Sequence, residues 1–191
     1  MENFLYSIDI KIFFFFNHTI VNGTLDKFFS IITNVNNWYI SYIILLGISI
    51  TKGGRRGKIA ALGVLILIAV TDQFSSHLIK ELFHRIRPCN ALQNVRTPVG
   101  FNGTFSFPSS HAVNNFAAAV FFYKLFPKLK WVLFITASLI GISRIYVGVH
   151  YPSDVLGGAV IGSSFGYVFG IIALKVDMYL NNYFDNRLKN Q

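Results

Sequence analysis

Cysteine is all but missing. Cys89 stands alone in 191 residues, so a disulfide within the chain is excluded, and so is a zinc site built on cysteine pairs. Charge is scarce too: 13% of the residues are Asp, Glu, Lys or Arg, against 53% hydrophobic residues, 20 of them phenylalanine. Acid is the scarcer sign, with 8 Asp and Glu against 17 Lys and Arg and a formal net charge of +9. In a soluble protein that excess points to nucleic acid. Here the basic residues stand at the ends of long apolar runs, so membrane topology and anionic headgroups account for them, and no nucleic-acid partner is expected. No cleavable signal peptide is read: residues 12–16 are apolar, but Asp9 and Lys11 precede them and no small-residue cleavage site clearly follows.

What is present is apolar sequence in long stretches, with mean hydropathy +0.50. The fold class this predicts is all-α, a polytopic membrane helical bundle of about five spanning helices behind an N-terminal interfacial helix, which makes six if that first helix crosses. The expected organisation is an interfacial helix over 1–22, a membrane domain over 23–180 and a polar cytoplasmic tail over 181–191. Spans are expected at about 25–50, 59–82, 109–126, 131–146 and 153–176. The turn TKGGRRGK at 51–58 carries Lys52, Arg55, Arg56 and Lys58; a second basic stretch carries Lys124, Lys128 and Lys130. Both mark the cytoplasmic side, which leaves 83–108 and 147–152 outside. The expected location is a bacterial cytoplasmic (inner) membrane with the site on its outer or periplasmic face. His84, Arg85, Arg87 and Arg96 fall on that outer side against the charge rule, and their clustering points to function. Gly158, Gly162, Gly166 and Gly170 repeat every four residues. The stripe reads as internal helix packing rather than a dimer face, and monomer and weak dimer both stay open.

Three islands hold nearly all the reactive groups of the outer side: KELFHRIRP at 80–88, PSSH at 108–111 and SRIYVGVHYPSD at 143–154. His150 and Asp154 are four residues apart, so an Asp in the first turn of a helix beginning near Pro152 reaches back to a ring nitrogen. An Asp that fixes the tautomer leaves the other nitrogen a competent nucleophile or base. Lys80, Arg87 and Arg144 make a three-cation cradle that fits a phosphoryl group. PSSH reads as a helix start with Ser109 as cap and Ser110 and His111 in its first turn, where backbone N–H groups bind the same anion. His111 is placed to protonate a leaving oxygen. No metal or other cofactor is expected, because two His and one partnered carboxylate among cations make a poor ligand set.

These islands resemble the type 2 phosphatidic acid phosphatase (PAP2) superfamily, whose signature is K-x6-RP, then PSGH, then SR-x5-H-x3-D. Lys80, Arg87 and Pro88 match the first element; Pro108, Ser109 and His111 the second; Ser143, Arg144, His150 and Asp154 the third. Ser110 stands where the family pattern has Gly. The resemblance implies a small bacterial membrane lipid phosphatase that hydrolyses a phosphate monoester or pyrophosphate in two steps. His150 attacks phosphorus to form a phosphohistidine, Asp154 orients the ring, and His111 protonates the leaving group and then activates water. Lys80, Arg87, Arg144 and the Ser109–Ser110 amides hold the phosphoryl oxygens. It also implies a membrane lipid phosphate as partner: undecaprenyl pyrophosphate, phosphatidylglycerol phosphate, phosphatidic acid or lipid A 1-phosphate.

Weaker candidates surround this set. Asp72, two turns before Lys80, reads first as a paired carboxylate and second as a substrate or proton handler. His77 and His84 flank Lys80 and read as interfacial, with substrate contact as the sharper alternative. Arg85 is expected to be solvated or to serve a second phosphate. Tyr146 and Tyr151 read as belt aromatics, Cys89 has no matched base, and the sequons at Asn17, Asn22 and Asn102 read as chance. Two other functions compete: a non-enzymatic transporter or scaffold with an anion site, and a haloperoxidase-like enzyme. Five spans without an inverted repeat count against the transporter.

Overall fold

The apolar runs fold as helices because a chain in lipid must satisfy its own backbone polar groups. In the computed structural model, which describes residues 4–100 and 103–189, they give nine α-helices. These are α1 (Phe4–Phe14), α2 (Gly23–Thr33), α3 (Tyr39–Lys52), α4 (Gly54–Gln73), α5 (Lys80–Phe83), α6 (Pro88–Ala91), α7 (Ser110–Leu125), α8 (Lys130–Tyr146) and α9 (Pro152–Lys189). Asn102 lies outside the described residues.

The all-α membrane bundle stands, but the count of about five or six spans does not. Among the described residues three stretches are long and apolar enough to cross: Gly54–Ala91, Pro127–Tyr146 and Pro152–Tyr183. A fourth is reached only if Phe4–Thr19 and Gly23–Thr33, bent by 116°, are one span. The reason lies in helix breaks that composition hides. The expected span over 25–50 is cut at Asn34, whose extended backbone ends α2 and whose side chain caps a 3-10 turn, Val35–Trp38. What remains is α3 with 14 residues, about 21 Å at 1.5 Å per residue, short of a hydrocarbon core of about 30 Å. The span expected over 109–126 is α7, with 16 residues. The basic turn is also tighter than expected: α4 starts at Gly54, so Arg55, Arg56 and Lys58 already lie on the helix.

The bundle has two poles. At one, α4 begins beside the end of α9, where Arg55 and Arg56 both pair with the buried Asp177 at 2.8 and 2.9 Å. At the other, α4 runs towards Lys80, α7 begins at Ser110, α8 ends past Arg144 and α9 begins just after His150. Between them, Ala60, Val64 and Leu67 of α4, Ala117, Phe121 and Leu125 of α7 and Ala173 of α9 form the main core. The glycines of α9 lie on α7: a Cβ on Gly158 would stand 2.8 Å from the Ser109 carbonyl, and at Gly162 and Gly166 it would meet the backbone of Val113 and Ala117. The second pole has its own cores. Phe13 of α1 packs with Ala112, Ile145 and Val155, and Phe29 of α2 with Tyr146, Val147 and Val149. The N-terminal helices are therefore walls of this pole. Outward-facing Leu62, Leu65, Val132, Ile135, Leu156 and Val160 present the apolar surface that lipid requires.

Candidate active site

Lys80 is aimed by a defect. Residues Phe74–Ile79 form a π-helical turn between α4 and α5, the kind of one-turn widening that re-aims side chains at functional sites. Lys80 follows it and is buried. α5 ends at His84, whose left-handed backbone (φ 46°) turns the chain inward. Arg87 then lies 2% exposed. Its Nε donates to the Thr104 carbonyl at 2.7 Å, its Nη2 to Thr104 Oγ1 at 2.8 Å and its Nη1 to the Val149 carbonyl at 2.9 Å.

The same Nη1 stands 3.0 Å from His150 Nε2. A guanidinium only donates, so Nε2 is the accepting nitrogen and carries the lone pair. The proton belongs on Nδ1, which faces Asp154 Oδ2 at 3.5 Å, an ion-pair approach rather than a closed hydrogen bond. The ring is placed by the turn that joins α8 to α9. Gly148 has φ +82°, and a Cβ there would come within 2.8 Å of Val95 Cγ1; the amides of Val149 and His150 both donate to the Arg144 carbonyl at 3.2 Å. Burial pushes the His150 imidazole down to about 3, with Arg87 and Arg144 adding to the effect and Asp154 opposing it. The ring is thus neutral at physiological pH.

Asp154 is more firmly held than His150 alone requires. Its Oδ2 accepts from the Tyr151 amide at 2.8 Å and from Ser106 Oγ, and its Oδ1 from Arg85 Nη1 at 2.6 Å. Arg85, read from the sequence as solvated or serving a second phosphate, is partly buried here and lies between Asp154 and Asp9 and over the Tyr151 ring.

On the other flank, His111 Nε2 lies 3.2 Å from the Thr33 carbonyl and, facing an acceptor, is the protonated nitrogen. Arg144 Nη1 donates to Thr33 Oγ1, while its Nε has no partner among the described groups. The charges of Arg144, Lys80 and Arg87 all bear on His111. Ser109 takes the cap position of α7, but its hydroxyl makes no cap bond and is buried without a partner among the described residues. Ser110 Oγ turns away towards Ser76 and Ser75 of the π turn, at 3.3 and 3.5 Å.

Two cavities flank this group. One of about 550 Å³ is lined by Ser30, Thr33, Asn34, His111, Arg144 and Val149, among others. The other, about 250 Å³, is lined by Ser76, Lys80, Glu81, Gly103, Thr104 and Phe105. In the core set, Arg87, His150 and Asp154 are thus in contact, and His111 and Arg144 share Thr33. Of the secondary set, Arg85 joins them through Asp154; the other three do not. Asp72 is exposed and meets Asn114 Nδ2 at 3.3 Å, His77 is exposed, and His84 faces Glu81 at 3.7 Å and the ring of Phe105. Thr33, Thr104 and Ser106 contact the core set and Asp9 contacts Arg85 and Ser153; sequence reasoning missed all four as site residues.

A family model described as the PAP2 superfamily matches residues 60–176. A lipid A 4′-phosphatase of Bacteroides thetaiotaomicron is 32% identical, with 95% of this chain and 84% of that protein covered. A lipid A 4′-phosphatase of Porphyromonas gingivalis is 30% identical over 81% of this chain and 67% of that protein. Among solved structures, a transmembrane PAP2-type phosphatidylglycerolphosphate phosphatase from Bacillus subtilis superposes with a TM-score of 0.68 at 25% identity, covering 93% of this chain and 88% of that one.

Proposed function

The chain belongs to the PAP2 superfamily, and from its standing as a membrane lipid phosphatase we propose that it removes a phosphate monoester from the sugar headgroup of a lipid A-type glycolipid by way of a phosphohistidine. The observation that carries the mechanism is the pairing of His150 Nε2, an acceptor, with a donating guanidinium, while Nδ1 faces Asp154. Nε2 attacks phosphorus, the P–O bond to the sugar breaks, and the leaving oxygen takes a proton from His111, which holds it as the imidazolium beside the bound phosphate and is left neutral. Positive charge then gathers on the imidazole, where Asp154 opposes it. Water, deprotonated by His111, attacks the phosphohistidine, breaks the N–P bond and frees inorganic phosphate. Lys80, Arg87, Arg144 and the amides at the start of α7 neutralise the phosphoryl oxygens. The substrate's oxygens take over from the Thr33 hydroxyl and carbonyl as acceptors for Arg144 and His111.

The choice of a sugar phosphate rests on two supports. The larger cavity beside His111, where the leaving group lies, presents Ser30, Thr33 and Asn34, side chains that suit hydroxyl-rich groups. The two relatives named above share a lipid A 4′-phosphatase name. Phosphatidylglycerol phosphate is the second reading, from the solved structure. The positive-inside rule, applied to the pole with Arg55, Arg56, Lys128 and Lys130, supports a site on the outer or periplasmic face.

The test is phosphate release in detergent from lipid A, phosphatidylglycerol phosphate and undecaprenyl pyrophosphate, each with chelator. Lipid A should be preferred, and His150→Ala should lower its turnover at least about 1000-fold in a folded protein. Preference for either other lipid overturns the sugar-phosphate reading. Unchanged release by the variant overturns the nucleophile.

A further inference from the structure

Asp9 stands in α1, ahead of residues 60–176 where the family model matches, yet it is 6% exposed at the wall of the site. Its Oδ2 accepts from Arg85 Nη2 at 2.6 Å, and its Oδ1 accepts from the Ser153 amide at 2.8 Å, in the first turn of α9. Ser153 Oγ also donates to Oδ2. Arg85 passes the link on: its Nη1 reaches Asp154 Oδ1 at 2.6 Å. The line runs Asp9, Arg85, Asp154, His150.

The helix is fixed there by more than this one carboxylate. Phe13 is fully buried in the core with Ala112, Ile145 and Val155. Asn17, also fully buried, donates from Nδ2 to the carbonyls of Arg96 and Tyr146 and accepts from the Arg96 amide. The chain has few carboxylates, and spending one here needs a reason.

We propose that Asp9 is a positioning residue of the hydrolysis, which acts through Arg85 on Asp154 and so on the charge that His150 develops; this rests on the phosphohistidine reading above. Arg85 sits against the same carboxylate that must hold the His150 ring. Alone, its positive charge draws Asp154 away from Nδ1 and cancels the negative charge there. Asp9 takes up half of the guanidinium and returns the cluster Asp9–Arg85–Asp154 to a net negative charge. An imidazole turning cationic as Nε2 bonds to phosphorus is stabilised by that surplus. Asp9 touches neither substrate nor the reacting nitrogen, and its effect falls on the chemical step rather than on phosphate binding, which belongs to Lys80, Arg87 and Arg144.

The experiment compares kcat and KM, and the rate of phosphoenzyme formation by rapid quench, in wild type, Asp9→Asn, Asp9→Glu, Asp154→Asn, the Asp9→Asn/Asp154→Asn pair and the Asp9→Asn/Arg85→Gln pair. Melting temperature in detergent is recorded for each. Asp9→Asn should lower kcat and phosphoenzyme formation about tenfold with KM within about twofold, and Asp9→Glu should restore most of the rate. In the Asp154→Asn background it should cost nothing further, because the path to His150 is already cut. The Asp9→Asn/Arg85→Gln pair, which returns the negative charge to Asp154, should run faster than Asp9→Asn. Additive losses, or a charge-neutral pair no faster than the single variant, reduce Asp9 to a packing group and overturn the inference. His150→Ala separates the two readings: if it abolishes turnover while Asp9→Asn does not slow it, Asp9 fails alone. If His150→Ala keeps its rate, the phosphohistidine fails and the inference with it.

Discussion

At the scale of the residue, the site is defined by what a few atoms are free to do. His150 is kept neutral by burial among cations. Its folded pKa lies below the ordinary imidazole value, so between the two values the unfolded chain binds the proton that the fold refuses. The stabilising contribution is complete above about 6.5 and is lost as pH falls towards 3. Detergent-solubilised protein should therefore lose stability from pH 7 to pH 5, by up to about 1.4 kcal/mol per unit below 6.5 from this group. His150→Gln should flatten the slope; an equal slope in the variant assigns the effect elsewhere. Ser110 gives a second prediction. Its hydroxyl meets only other hydroxyls at 3.3 Å or more, and its backbone φ is not left-handed. Ser110→Gly, which restores the family pattern, should change kcat/KM by no more than about threefold. A larger change either way would mean that the hydroxyl reaches the phosphate.

At the scale of the element, the π turn before Lys80 is a claim about register. An alanine inserted between Ile79 and Lys80, just after that turn, swings Lys80 and its C-terminal neighbours by about 100° around the axis. The insertion should carry Lys80 out of the site and lower turnover about 100-fold, near the loss from Lys80→Ala. Wild-type turnover in the insertion would show that the register set here aims nothing. This is also where the sequence ran out. The spacing K-x6-RP is unchanged by how the backbone coils between Lys80 and Arg87, so the motif was legible and its means of delivery was not. The His150–Asp154 approach was legible because it lies within one helical turn. Asp9 and Thr33 were not, because they reach Ser153 and Arg144 across more than a hundred residues without a local pattern. Span counting failed for the same reason: a hydropathy window over 25–50 does not see one extended residue at Asn34 cut the helix.

At the scale of the whole molecule, charge and chemistry are set at opposite poles. α4 leaves the basic pole and arrives at Lys80; α7 leaves the site and arrives near Lys128; α8 returns to Arg144; α9 goes back from Asp154 to Asp177. Every reactive group lies at one end of these four helices and the Arg55–Asp177–Arg56 clasp at the other. This alternation does not depend on how many of the helices cross the full bilayer, so the outer-face orientation proposed above does not rest on the span count. In a Cys89→Ala background, a cysteine at Gly103, exposed beside the smaller cavity, should react with a membrane-impermeant thiol reagent added to intact cells. One at Lys128, exposed at the basic pole, should react only after the membrane is opened. The reverse pattern would turn the molecule over and place lipid dephosphorylation on the cytoplasmic leaflet. Labelling of both from outside would mean that the two poles do not lie across the bilayer from each other.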